Sequence, residues 1–186
     1  MIWNLPNAIT LLRMFLMPLF LFFLLYRPIP YGELIALGVF VFAALTDAVD
    51  GWVARKRQQI TDFGKFADPI ADKLLVMAAL LAFVGMGEIW AVWVVILLSR
   101  EILVMGLRIW AIAQDVVIAA SALAKLKTLS HIALVIVLLG NHYWNWGAVG
   151  ADIKLAFIWL AVVLALASGF EYFYKGRGLF RPQQAA

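Results

Sequence analysis

The sequence predicts an all-α, polytopic membrane protein with six transmembrane helices and both termini cytoplasmic. Three observations predict it. Hydrophobic residues make up 66% of the chain and charged residues only 14%, against about 45–50% and 25% in a soluble domain. The apolar residues gather into six runs, and the basic residues lie almost wholly on one side of those runs. With a mean hydropathy of +0.97, a water-soluble reading is excluded. Six spans of about 20 residues each take up most of the 186 positions, so residues 1–186 are expected to form one membrane domain. There is no cysteine, which excludes disulfides, thiol catalysis and thiolate metal sites.

The first run covers residues 9–26. The residues before it carry no basic n-region and no small-residue cleavage site, so they do not read as a signal peptide. The second run is 34–54. The third, 74–84, reaches spanning length only by taking in 66–73, and with it Asp68 and Asp72. The fourth is 89–113. The fifth, 129–139, needs either 119–128, which brings in Lys125 and Lys127, or 140–146. The sixth is 155–174. In lipid every backbone polar group must be paired within its own segment, so the spans are helices. An even number of spans puts both termini on one side. That side holds ten basic residues (Arg55, Lys56, Arg57, Lys65, Lys73, Lys125, Lys127, Lys175, Arg177 and Arg181), and the other only Arg27 and Lys154. The positive-inside rule makes the basic side cytoplasmic. Tyr26, Tyr31, Trp90, Trp93, Tyr143, Trp144 and Trp146 fall at the opposite ends, where aromatic rings sit at headgroup level. The charge excess of +4 fits a membrane surface, not nucleic acid, and the basic tail 175–181 would lie near anionic headgroups.

Four of the seven aspartates lie within 26 residues: Asp47, Asp50, Asp68 and Asp72. Spacings of three and four put each pair on one helical face. The short basic turn between the second and third helices makes them antiparallel and brings the four carboxylates to similar depth. Helix capping explains Asp68, which precedes Pro69, a favoured first helical residue. It does not explain Asp47 and Asp50, which stand near a helix C-terminus, where the dipole disfavours anions. Asp47 follows a nearly all-apolar stretch, and a carboxylate placed there costs at least about 2.5–3.5 kcal/mol. One or two hard divalent cations offset both that cost and the mutual repulsion. All-oxygen ligation favours Mg²⁺, Mn²⁺ or Ca²⁺ over zinc.

Residues 47–72 spell D-x-x-D-G-x-x-A-R-x8-G-x-x-x-D-x-x-x-D. This resembles the signature of the CDP-alcohol phosphotransferases, six-helix membrane enzymes of phospholipid synthesis, with every fixed position present. The stretch from Pro6 and Asn7 to Thr10 and Arg13 is similar to the family's first helix. Ser99-Arg100-Glu101-Ile102, Gly106-Leu107-Arg108 and Lys125-Leu126-Lys127-Thr128 look like the branch that makes phosphatidylglycerol phosphate. The resemblance implies transfer of the phosphatidyl group of CDP-diacylglycerol to an alcohol, with release of CMP. It implies a centre of two Mg²⁺ ions, Mn²⁺ being a possible substitute, held by Asp47, Asp50, Asp68 and Asp72. It also implies that Asp72 takes the proton of the attacking hydroxyl. The same resemblance implies a homodimer and a site facing the cytoplasm of a bacterial inner membrane.

Gly51 and Ala54 allow either close approach of a nucleotide to the helix backbone or helix–helix packing; the resemblance favours the nucleotide. Arg55 suits a phosphate as a planar fork, against snorkelling to the interface. Asn7 and Thr10 are candidates for nucleotide contacts or for capping and lining the first helix. Arg100 and Arg108, eight residues apart, are expected on one helical face. An ion pair of Arg100 with its neighbour Glu101 is disfavoured, because adjacent helical residues point apart; a bridge to an aspartate is the better alternative. With Lys125 and Lys127 these arginines would form a pocket for a phosphorylated acceptor. Glycerol 3-phosphate or inositol phosphate fits such a pocket, and free serine, choline or ethanolamine does not. His131 and His142 have no Ser or Cys partner at a nucleophilic spacing and are left without a role. Asp62, Asp115 and Asp152 read as loop or cap residues. Two other classes compete. An intramembrane prenyltransferase would separate its acidic motifs by about half the chain, and a divalent-cation transporter would show inverted repeats or broken helices at midplane. Neither feature is present.

Overall fold

The computed structural model describes the backbone of residues 5–26, 29–57, 62–116, 118–119 and 121–180; side chains at 5–10, 47–57, 62–72 and 180 are outside the description. Within it the chain is all-helical. Six helices follow in order: α1 (Leu5–Leu21), α2 (Gly32–Arg57), α3 (Asp62–Gly85), α4 (Ala91–Ile112), α5 (Ala122–Trp144) and α6 (Gly147–Lys175). The third helix takes in the polar extension its short apolar run requires, and α5 takes in parts of both extensions available to it. The sixth begins eight residues before its apolar run, since Asp152 and Lys154 sit in its first turns and break the hydropathy without breaking the helix. Asp152 is thus helical, whereas Asp115 stands in the α4–α5 loop at φ 57.

Local chemistry explains the ends. Pro6 lies in the first turn of α1, where its missing N–H has no intrahelical partner to lose. Pro18 lies inside that helix and removes one backbone bond; the following turn, Phe22–Tyr26, is π-helical. Ser121 caps α5, its Oγ accepting from Ala124 N–H at 3.2 Å. Asn145 closes α5 in the left-handed region at φ 46, a conformation asparagine tolerates at a helix end, and Gly147 at φ 61 turns the chain into α6. So short a connection makes α5 and α6 neighbours, and they pack along each other. Helix α1 packs on α2 and α3, α4 on α6, and α5 also touches α2 and α3.

Each helix buries one stripe at spacings of three and four residues, the pattern of one helical face. Leu16, Phe20 and Leu24 of the first helical segment meet Ala36, Phe40 and Ala43 of α2, and the rings of Phe20 and Phe40 pack tilted at 50° with centroids 5.8 Å apart. The opposite faces are apolar as well: Phe15, Phe42, Leu81, Val95, Ile102, Val163 and Phe170 are all exposed. Among the described residues the buried charged and polar side chains, by contrast, are Arg13, Arg100, Glu101, Lys127, Ser130, His131 and Ser168. Charge inside and hydrocarbon outside is the reverse of a soluble bundle. Two helical stretches, Ala122–Trp144 and Gly147–Leu179, are long and apolar enough by themselves to cross a membrane. α4 holds Arg100, Glu101 and Arg108 within its length.

Candidate active site

The signature residues fall on two consecutive helices. Asp47, Asp50, Gly51, Ala54 and Arg55 stand toward the C-terminal end of α2, and Asp68 and Asp72 in the N-terminal half of α3. Their side chains, with those of Asn7 and Thr10 on α1, lie outside the described residues. The donor set is all carboxylate and placed on helical backbone in i,i+3 and i,i+4 pairs, which suits a hard divalent cation. Among the described residues no group of three or more His, Asp or Glu is arranged to hold a metal.

One turn further into the bundle the side chains form a polar centre. Glu101 of α4 is the centre of a buried charge cluster. Its Oε1 accepts from Lys127 Nζ of α5 and from Arg100 Nη1 at 3.2 Å, and its Oε2 lies 3.8 Å from Lys73 Nζ of α3. Arg100 also donates from Nη2 to Ser168 Oγ of α6 at 3.0 Å, and its guanidinium lies 5.6 Å from the ring centre of Tyr172. Glycine at 169 leaves room for the arginine stem, since a Cβ there would stand 3.2 Å from Arg100 Cγ and require it to give way slightly. In front of the cluster is a cavity of about 150 Å³. Arg13, Lys73, Glu101, Lys127 and His131 line one part of it, and Phe40, Leu80 and Leu97 are among the apolar residues of the rest. Ala43 and Ala44 of its wall precede Asp47 by one helical turn, and Lys73 follows Asp72 directly, so the cavity adjoins the signature segment.

These positions correct two sequence expectations. Arg100 does pair with Glu101: the side chains leave the helix about 100° apart, but a long arginine stem curls back when burial offers no water. Arg100 and Arg108 do not share an environment either. Eight residues on a 3.6-residue helix leave an offset of roughly 80°, so Arg100 is buried and Arg108 exposed. Lys125 is likewise exposed, and of the four cations expected together only Lys127 lines the cavity. Glu101, Lys73, Arg13 and Ser168 carry the cluster without having been singled out as its members. The signal available was a lone glutamate inside an apolar run, costly unless paired.

A second polar cluster ties the other end of the bundle. His142 Nδ1 of α5 donates to Glu88 Oε1 at 2.7 Å, and Lys154 Nζ of α6 donates to Glu88 Oε2 at 2.7 Å. His142 Nε2 is 3.3 Å from Glu33 Oε1 of α2. Burial pushes the Glu88 carboxyl up, but the bonds from Lys154 and His142 outweigh it and hold it below its usual value.

An apolar exterior around a buried charge cluster, beside a helix pair that carries four aspartates, marks a helical protein of membrane type. More specifically, the chain belongs to the CDP-alcohol phosphatidyltransferase family, which residues 3–167 match. It is 40% identical to the CDP-diacylglycerol–glycerol-3-phosphate 3-phosphatidyltransferase of Bacillus subtilis, over 93% of this chain and 95% of that protein. Proteins of the same description from Rickettsia bellii and Pectobacterium atrosepticum are 36% and 34% identical. They cover 91% and 94% of this chain and 93% and 96% of their own lengths.

Proposed function

We propose that the protein transfers the phosphatidyl group of CDP-diacylglycerol to glycerol 3-phosphate, giving phosphatidylglycerol phosphate and CMP. The observation that carries this reading is the end-to-end similarity to relatives of that one description, from several bacterial lineages. The buried cations beside the signature helices agree with it, because the acceptor in that reaction is a phosphate monoester.

In this reading the acceptor hydroxyl attacks the phosphatidyl phosphorus, the bond from that phosphorus to the CMP oxygen breaks, and the hydroxyl proton passes to Asp72. A general base must come within about 2.6–3.2 Å of that proton's oxygen. Asp47, Asp50, Asp68 and Asp72 would hold two Mg²⁺ ions, or Mn²⁺ in their place, which when bound neutralise the pyrophosphate and the leaving oxygen. Asn7, Thr10, Gly51 and Ala54 shape the nucleotide site, and Arg55 pairs with its phosphate. Lys127 meets the acceptor phosphate at the cavity, and Arg100 supports it from behind Glu101. Arg108 and Lys125, exposed on the neighbouring helices, add positive potential along the approach and draw the acceptor in.

Six spans with both termini cytoplasmic, in a bacterial inner membrane, put the basic end at the cytoplasm, where a water-soluble acceptor arrives, while the lipid donor enters laterally. The homodimer is part of the same reading. Because the chain has no cysteine, single cysteines placed beyond residue 181 and at the exposed Trp90 report orientation without background. The first should react with an impermeant maleimide only after the cells are opened, the second in intact spheroplasts.

The activity is tested by CMP release from purified, detergent-solubilised protein with CDP-diacylglycerol and Mg²⁺. Glycerol 3-phosphate, inositol phosphate, inositol and serine are compared as acceptors. Release only with glycerol 3-phosphate, lost with EDTA and in Asp72→Asn, is expected. Release with inositol phosphate instead would move the protein to a sister activity of the family. Folded protein that binds Mg²⁺ but releases no CMP with any acceptor would overturn the reading.

A further inference from the structure

We propose that Glu101 is a positioning residue for the acceptor: it holds Lys127 and Lys73 at the cavity wall, spaced to take a phosphate monoester. This rests on the acceptor being a phosphorylated alcohol, as proposed above. Three helices converge on one carboxylate, which accepts from Lys127 of α5 and Arg100 of α4 and faces Lys73 of α3 at 3.8 Å. Glu101 and Lys127 are only 6% exposed. Lys73, Lys127 and Glu101 line the cavity, whereas Arg100 does not. Arg100 therefore works from behind, tied to Ser168 at 3.0 Å, and fixes the carboxylate that in turn fixes the two lysines.

Charge supports the same assignment. Among the described residues three cations (Arg100, Lys127 and Lys73) surround the one carboxylate of Glu101, and Arg13 lines the same cavity. A phosphate monoester dianion is the charge complement of lysines gathered at a cavity wall. An ammonium is a point charge on four rotatable bonds. Left to itself it would reach for water or for another acid; anchored on Glu101, it keeps one donor direction for its partner and presents the others to the cavity.

The test compares wild type with Glu101→Gln, Glu101→Asp and Ser168→Ala, varying glycerol 3-phosphate at saturating CDP-diacylglycerol and the reverse. Glu101→Gln should raise KM for glycerol 3-phosphate about tenfold or more, the size expected for a lost charged hydrogen bond. The KM for CDP-diacylglycerol and kcat at saturating acceptor should stay within about threefold. Glu101→Asp should recover part of the loss. Ser168→Ala, which loosens Arg100 alone, should move the same KM in the same direction by less, and serves where Glu101→Gln does not fold. An unchanged acceptor KM in the folded variants, or a fall in kcat with KM unchanged, would falsify the assignment. If wild type uses no phosphorylated acceptor, the proposed activity itself has failed. Protection of the full-length protein from thermal unfolding by inorganic phosphate then decides the positioning role. Protection present in wild type and lost in Glu101→Gln supports it, and equal protection or none sinks it.

Discussion

Arg100 donates from Nη2 to Ser168 Oγ at 3.0 Å, and the next residue on that helix, Gly169, leaves the space through which the arginine stem passes. The pair locks α4 to α6 from inside. Replacing Ser168 by Ala is expected to cost about 0.5–1.5 kcal/mol, the range for side-chain hydrogen bonds between membrane helices. Gly169→Val should cost more, since a Cβ at 3.2 Å from Arg100 Cγ already forces that side chain to shift. Reversible unfolding in mixed micelles measures both. Equal stability of Gly169→Val and wild type would show that the arginine stem is not confined there.

The interior pair Phe20–Phe40 tests what kind of core this is. In a soluble protein Phe→Ala in a full core costs about 3–5 kcal/mol, part transfer and part cavity. Lipid tails are as apolar as the ring, so the transfer part largely drops out and packing remains. Phe40→Ala, at a fully buried position, is therefore expected to cost about 1–3 kcal/mol by the same unfolding measurement. A loss above that range would indicate that the unfolded reference state is exposed to water.

Acid should loosen the end of the bundle held by Glu88. Its folded carboxyl titrates below its usual value of 4.5, the raising effect of burial being outweighed by Lys154 and His142. The folded state thus binds this proton less tightly than the unfolded one. The stabilisation is present above about pH 4.5 and is lost as pH falls through the lower folded value. The Tm of wild type should drop in that window, and Glu88→Gln should start lower and drop less. Parallel Tm curves for the two proteins would assign the acid sensitivity elsewhere.

The outward apolar faces carry a fourth expectation. Val163, midway along α6, is exposed. In a bilayer, lysine there should cost about 2.5–3.5 kcal/mol of insertion free energy. Val163→Lys should show a measurable fall in membrane-inserted yield. A control lysine at Asp152, in the first turns of the same helix, should insert normally. Equal yields for the two would place the face of Val163 in water.

By itself the sequence determined the helical class, the six elements and the signature segment. An apolar run bounded by polar turns can be satisfied in lipid only by a helix, and motif spacing is a property of the chain alone. It also marked Arg100 and Lys127 as cations that an apolar setting must account for. Only the tertiary structure decided their partners. Glu101, Lys73 and Ser168 stand on three different helices, and which side chains meet across a bundle depends on helix rotation and depth, which no local periodicity encodes. The same holds for Arg100 and Arg108: their spacing was legible, but an offset of roughly 80° becomes buried against exposed only when neighbouring helices cover one side and not the other. A charge buried in hydrocarbon must find its counter-charge wherever the packing brings one, and here that was the adjacent glutamate.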